Sequence, residues 1–184
     1  MTRARLTRAA GLAAIFAALG APAPAPAQDA TQRFFEERLL QDRKTSSAIK
    51  TLLRTNSGFV DKAVVFRDIT GDKRDDAVVR VHSGGAAGVV AVYVFSTANR
   101  KGGKLRVVFR SQSLMRASTR VLKGVVSYRT SRYEPGDELC CPARITQSTL
   151  GWVASERRFR VRDRVTFAPP PEAQAPAAPD GTTG

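Results

Sequence analysis

The feature that most constrains this chain is a change of hydrophobic period at Gly58. Before it, Phe34, Phe35, Leu39 and Leu40, then Ile49, Leu52 and Leu53, recur at the i, i+3, i+4 spacing of amphipathic helices. Asp29 and Gln32 are placed to cap the first helix, with Gln32 reaching back to its start. Asn56-Ser57-Gly58 stops the second. The two pieces read as one bent helix or as a pair.

After Gly58 the period is two. Strands are expected over 60–66, 77–82, 89–95, 105–110, 117–121, 125–129, 145–152 and 159–165. Ala77, Val79 and Val81 share one face of the second, with Arg80 and His82 on the other. The run 89–95 is apolar on both faces and reads as a central strand. Lys123-Gly124 marks a hairpin turn. Connections this short imply antiparallel neighbours. The expected fold is α+β: an N-terminal helical segment packed on a curved antiparallel β-meander of about seven or eight strands.

Residues 1–27 read as an export signal. Arg3, Arg5 and Arg8 precede an apolar run, and small residues lead to Ala25-Pro26-Ala27. That run is short for a bilayer core of about 30 Å. An uncleaved anchor is the alternative. The expected organisation is a signal peptide (1–27), one globular domain (28–167) and a disordered Pro/Ala-rich tail (168–184). A secreted or cell-envelope location follows, with no transmembrane helix after cleavage.

The formal net charge is +14, and removal of three signal arginines leaves the chain strongly basic. Residues 77–133 contain no Asp or Glu. Arg106, Arg110, Arg116, Arg120 and Arg129 lie within that stretch and are the candidate anion-binding residues, expected to gather on one solvated sheet face. A second cluster follows at Arg157, Arg158, Arg160, Arg162 and Arg164. Outside a cell, such a face suits anionic cell-wall polymer or lipid headgroups. Few aromatics stand near these arginines, which disfavours a nucleic-acid stacking platform.

Two local features stand out. In residues 68–76, Asp68, Thr70, Asp72 and Asp76 offer side-chain oxygens at close spacing, and Arg74 could add its carbonyl. Ca²⁺ takes six to eight oxygens, so this loop is a candidate calcium site. It resembles a single Asp-rich hairpin loop of FG-GAP and VCBS-type repeats, with Lys73 where those loops favour glycine. The alternative is an Asx-rich turn whose carboxylates bond neighbouring backbone N–H groups.

The second feature is Cys140-Cys141, the only two cysteines. In an oxidising compartment they form an intermolecular pair, persist as thiols, or bridge each other. A trans peptide spaces neighbouring Cα atoms by about 3.8 Å, below the usual disulfide range, so a vicinal bridge would stiffen the loop. Zinc is disfavoured because His82 is the single histidine.

Residues Phe66-Arg67-Asp68-Ile69-Thr70-Gly71-Asp72, Ser83-Gly84-Gly85-Ala86-Ala87-Gly88 and Val92-Tyr93-Val94-Phe95 resemble the core segment of actinobacterial LppP/LprE-type exported proteins. Pro135-Gly136-Asp137 with Cys140-Cys141-Pro142 is similar too. The resemblance implies an envelope or secreted location and carries no established activity. This chain lacks the lipidated cysteine of the lipoprotein members.

No catalytic motif is present. His82 and Ser83 are strand neighbours on opposite faces, not parts of a hydrolase triad. Residues 84–88 precede a strand, so they read as a turn and not as a phosphate loop. The expectation is a non-enzymatic binding or structural domain with a basic face. The alternatives are a glycan hydrolase using Glu134, Asp137 or Glu138, and a thiol-redox protein built on the cysteine pair.

Overall fold

The computed structural model describes residues 30–170. The expected export signal, Gln28, the expected cap Asp29 and residues 171–184 of the expected tail lie outside the described residues. Two helices, α1 (Ala30–Gln41) and α2 (Ser47–Arg54), precede nine strands. The helices are a pair, not one bent helix. Ser46 caps α2, its hydroxyl accepting from the Ile49 N–H at 3.4 Å. Gln32 does not reach back to the start of α1. Its side chain is buried and donates to the Val60 carbonyl at 2.6 Å, tying the helix to the sheet beneath.

The strands form two antiparallel sheets, where the sequence suggested one curved meander. The first contains β1 (Phe59–Val60), β2 (Val65–Arg67), β3 (Asp76–His82), β4 (Val89–Ser96) and β5 (Arg106–Ser111). The expected single strand over 60–66 is broken in two. Both pieces pair with the same edge of β3, and an intervening turn is closed by Asp61 accepting from the Ala63 N–H. The second sheet is a plain hairpin succession: β6 (Ser118–Leu122), β7 (Val125–Arg132), β8 (Arg144–Val153) and β9 (Arg158–Phe167). Lys123 and Gly124 turn β6 into β7, and both have positive φ (48° and 76°), as a two-residue hairpin loop of primed type requires.

Side-chain alternation sorts the core into two layers. Ala77, Val79, Val81, Ala91, Tyr93 and Phe95 face the helices and pack on Phe35, Leu39, Ile49 and Leu53. Val78, Val92, Val94 and Val108 face the second sheet and meet Val126, Tyr128, Leu150 and Phe159. The first sheet is thus covered on both faces, which is why β4 is apolar throughout. The Tyr93 phenol, pushed up to about 12 by its burial, donates to Gln112 Oε1 at 3.0 Å. Gln112 in turn accepts from the Ser46 N–H and donates to the Lys44 carbonyl, so it clamps the helix connection to the end of β5.

Residues 112–117 carry the chain from one sheet to the other. Leu114 and Ala117 donate backbone N–H groups to the start of β4, while Met115 exchanges bonds with Thr130 and Ser131 of β7. This crossover fixes the two sheets against each other along one side. At the same end of the sheet, the hairpin turn between β3 and β4 accepts the Arg116 N–H at the Ala87 carbonyl and sits hard on the segment that follows α2. A Cβ on Gly84 (φ 74°) would fall 2.0 Å from the Ser57 carbonyl oxygen.

Candidate functional site

The second sheet has one face on the core and one on solvent, and the solvent face is concave. On it lie Ser118, Arg120 and Leu122 of β6, Val125, Ser127 and Arg129 of β7, and Gln147 and Thr149 of β8. With Lys123 of the turn they line a groove of about 610 Å³. Cross-strand pairing sets the order: Ser118 opposes Arg129, which opposes Gln147, and Arg120 opposes Ser127, which opposes Thr149. The Arg129 Nε donates to Gln147 Oε1 at 2.7 Å, and its guanidinium lies 5.6 Å from the Phe167 ring centre, so its fork is held in place. Among the described residues, Arg120, Lys123 and Arg129 have no carboxylate within 4.0 Å. The four strands contain a single acid, Asp163.

The five candidate anion-binding arginines do not gather on this face. Arg120 and Arg129 do. Arg106 and Arg110 belong to β5 of the other sheet, and Arg110 pairs with Asp42 at 3.2 Å. Arg116 stands in the crossover and donates to the Leu139 carbonyl. The reason is topological: a change of sheet between β5 and β6 splits a run of arginines that looks continuous in sequence. The second cluster is dispersed as well. Arg158 and Arg160 both bind Glu156, and these two hydrogen bonds hold the exposed Glu156 carboxyl below its usual value. Arg162 lies across Gly151, where a Cβ would fall 1.8 Å from its Nε, and donates to the Trp152 carbonyl. Sequence reading missed Lys123, Gln147 and Thr149. They belong to the groove only through strand register.

The Asp-rich loop is closed by its own carboxylates. Asp68 accepts from the N–H groups of Gly71, Asp72 and Lys73 at 2.7–3.2 Å. Asp76, buried at the head of β3, accepts from Ile69 and Thr70 N–H, both at 2.9 Å. Asp72 takes the Arg74 guanidinium at 2.7 Å and the Thr97 hydroxyl at 3.3 Å. Burial raises the Asp72 pKa, but Arg74 and Thr97 outweigh it and hold the carboxyl below its ordinary value. No three acidic groups of this loop bring ligand atoms within 4.8 Å of one another. The carboxylate oxygens face N–H and guanidinium donors, an arrangement suited to a turn and a poor fit to a Ca²⁺ cage, while the buried Thr70 hydroxyl has no partner among the described residues. Lys73, where a glycine was expected, takes φ 64°.

Cys140 and Cys141 are bonded to each other, with Cα atoms 3.8 Å apart. Their loop is fastened from three sides. Asp137 accepts from Glu134 and Ala143 N–H, Tyr133 O–H donates to the Leu139 carbonyl at 2.8 Å, and Arg116 donates to that same carbonyl. Glu134, Asp137 and Glu138 therefore sit along one surface loop, with the Asp137 carboxylate engaged by backbone, and none of them lines the groove. Glu138 and the two sulfurs form the one cluster of metal-ligating atom types among the described residues.

His82 is an edge residue. It stacks on Phe59 (5.1 Å, interplanar angle 2°), and its Nε2 lies 3.2 Å from Asp61 Oδ2, which also holds Arg80 at 2.6 Å. Burial raises the Asp61 pKa, but the Ala63 N–H, Arg80 and His82 together bring its carboxyl below the ordinary value. Among the described residues no helix is long and apolar enough to cross a membrane. No family model, curated protein or solved structure matches the chain.

Proposed function

We propose that this chain is a secreted or envelope-associated, non-enzymatic binding domain that holds an anionic cell-wall polymer in the groove of its second sheet. The observation that carries this reading is the set Arg120, Lys123 and Arg129 around an open groove, with no carboxylate partner among the described residues. Three cations along one groove attract a chain of repeating negative charge. Ser127, Thr149 and Gln147 supply neutral hydrogen-bonding groups between the cations, as a glycan or polyol backbone needs. Leu122 and Val125, about half exposed, give its apolar edge a place to rest. No aromatic residue lines the groove, and nearby Phe167 is already occupied by Arg129, which argues against nucleic acid.

The test is binding of a soluble poly(glycerol phosphate) to the full chain, followed from low to high salt. The expected result is saturable binding that weakens steeply with ionic strength and is lost in the Arg120→Gln, Lys123→Gln, Arg129→Gln triple variant. Unchanged binding in that variant would sink the proposal. Preferential binding to anionic lipid vesicles over the polymer would replace it with a headgroup reading.

A further inference from the structure

The inner face of the second sheet is apolar only over half its length. Towards the crossover it turns polar: Tyr128, Ser148 and Arg164 stand in one cross-strand row, and Thr130, Thr146 and Thr166 in the next. A sheet face turned to a core ordinarily carries apolar groups there, because each buried hydroxyl needs a partner. Here the face opens into a cavity of about 230 Å³ between the sheet and the crossover. The Ser111, Tyr128, Thr146 and Ser148 side chains line it, with Arg132 and Arg164 at its rim.

Some of these hydroxyls are satisfied within the protein. Ser111 donates to the Tyr128 oxygen at 3.2 Å, and Thr146 bonds Thr166 at 3.1 Å. Ser148 differs. It is 2 % exposed, lines the cavity, and among the described residues nothing is hydrogen-bonded to its hydroxyl. A buried polar side chain left open toward a cavity is a group kept for a ligand or for solvent. The two guanidiniums at the rim have no carboxylate within 4.0 Å among the described residues, and no acid lines the cavity.

We infer that this cavity binds a phosphorylated monosaccharide, with the phosphate on Arg132 and Arg164 and the sugar hydroxyls on Ser148, Tyr128 and Ser111. Two unpaired guanidiniums match a phosphate monoester, which carries about −1.5 to −2 at pH 7 and offers oxygens to more than one arginine. The hydroxyl lining both donates and accepts, as a polyol requires. The volume is below the roughly 300–1,000 Å³ of drug-sized pockets and suits one sugar ring. The site is separate from the outer groove, lying on the opposite face of the same strands.

Calorimetric titration of the full chain with glucose 6-phosphate, inorganic phosphate and glucose tests it. The sugar phosphate is expected to bind more tightly than either part. Arg164→Gln and Ser148→Ala should each weaken it about tenfold, while the Arg120, Lys123, Arg129 triple variant should leave it unchanged. The far-ultraviolet spectrum and unfolding midpoint of each variant report whether it is folded. Three results would overturn the inference: no binding of the sugar phosphate, equal binding of inorganic phosphate, or a loss in the groove variant as large as in Arg164→Gln. Since each variant set touches one face only, failure here leaves the groove proposal standing, and the reverse.

Discussion

The two sheets of this protein are made from similar strands and used in different ways. The first is buried on both faces, by helices on one side and by the second sheet on the other. The second has a core face that is only partly apolar and a solvent face that carries arginine, lysine and amide groups. Burial of β3 and β4 on both sides makes the first sheet the platform, with exposure confined to its edges at β1, β2 and β5. The second sheet is anchored by half of one face, and the remainder is available for recognition.

The largest expected contrast is a core truncation in each setting. Phe95 is 1 % exposed and packs on Phe35 with ring centres 5.0 Å apart, so Phe95→Ala should cost about 3–5 kcal/mol in urea unfolding. Val125 is 48 % exposed on the groove face, so Val125→Ala should change stability by less than about 0.5 kcal/mol. Equal effects would mean that the solvent face of the second sheet is as deeply covered as the core of the first.

Next in size is Asp76→Ala. It removes the acceptor of the Ile69 and Thr70 N–H groups in a buried turn, and the expected cost is about 1–3 kcal/mol, read by the same unfolding experiment. An acid titration gives a smaller effect. Asp61 and Asp72 both have folded-state pKa values lowered from 3.8. Their contribution to stability is therefore complete above about pH 3.8 and is lost as pH falls through the lowered folded values. Asp61→Asn should flatten that loss, and a variant with the wild-type acid profile would remove Asp61 from the explanation.

The smallest expected effect concerns calcium. A ligand selective for the folded state raises the unfolding midpoint in proportion to RT ln(1 + [L]/Kd). Because the Asp68 and Asp76 carboxylates already accept N–H bonds, millimolar Ca²⁺ and EDTA should give the same midpoint. A rise specific to Ca²⁺ would show that residues 68–76 rearrange into a cation site and would give the platform sheet a ligand of its own.

Much of the fold was legible. The i, i+3, i+4 pattern located both helices, and the period-two runs located β3 to β9 within a few residues, because each of these signals is a local consequence of which face is buried. The break between β1 and β2 was not legible, since the local Asp61–Ala63 turn is reinforced by Arg80 and His82 only after β3 is in place. Likewise, Gln32 had a plausible local role at its helix end. It was drawn instead to a carbonyl on a strand nearly thirty residues on, where burial makes an unpaired acceptor costly.

By itself, the sequence determined the order of helices and strands, the antiparallel neighbours joined by short turns, and the all-apolar centre at β4. These follow from periodicity and chain connectivity, which act over a few residues. Only the tertiary structure decided that the strands divide into two sheets and which arginines share a face. It also decided that the Asp-rich loop turns its oxygens inward and that Ser148 opens toward a cavity. Those outcomes depend on strand register and on the path of the crossover, and register couples residues such as Arg129 and Gln147 that are far apart in the chain and adjacent only once it has folded.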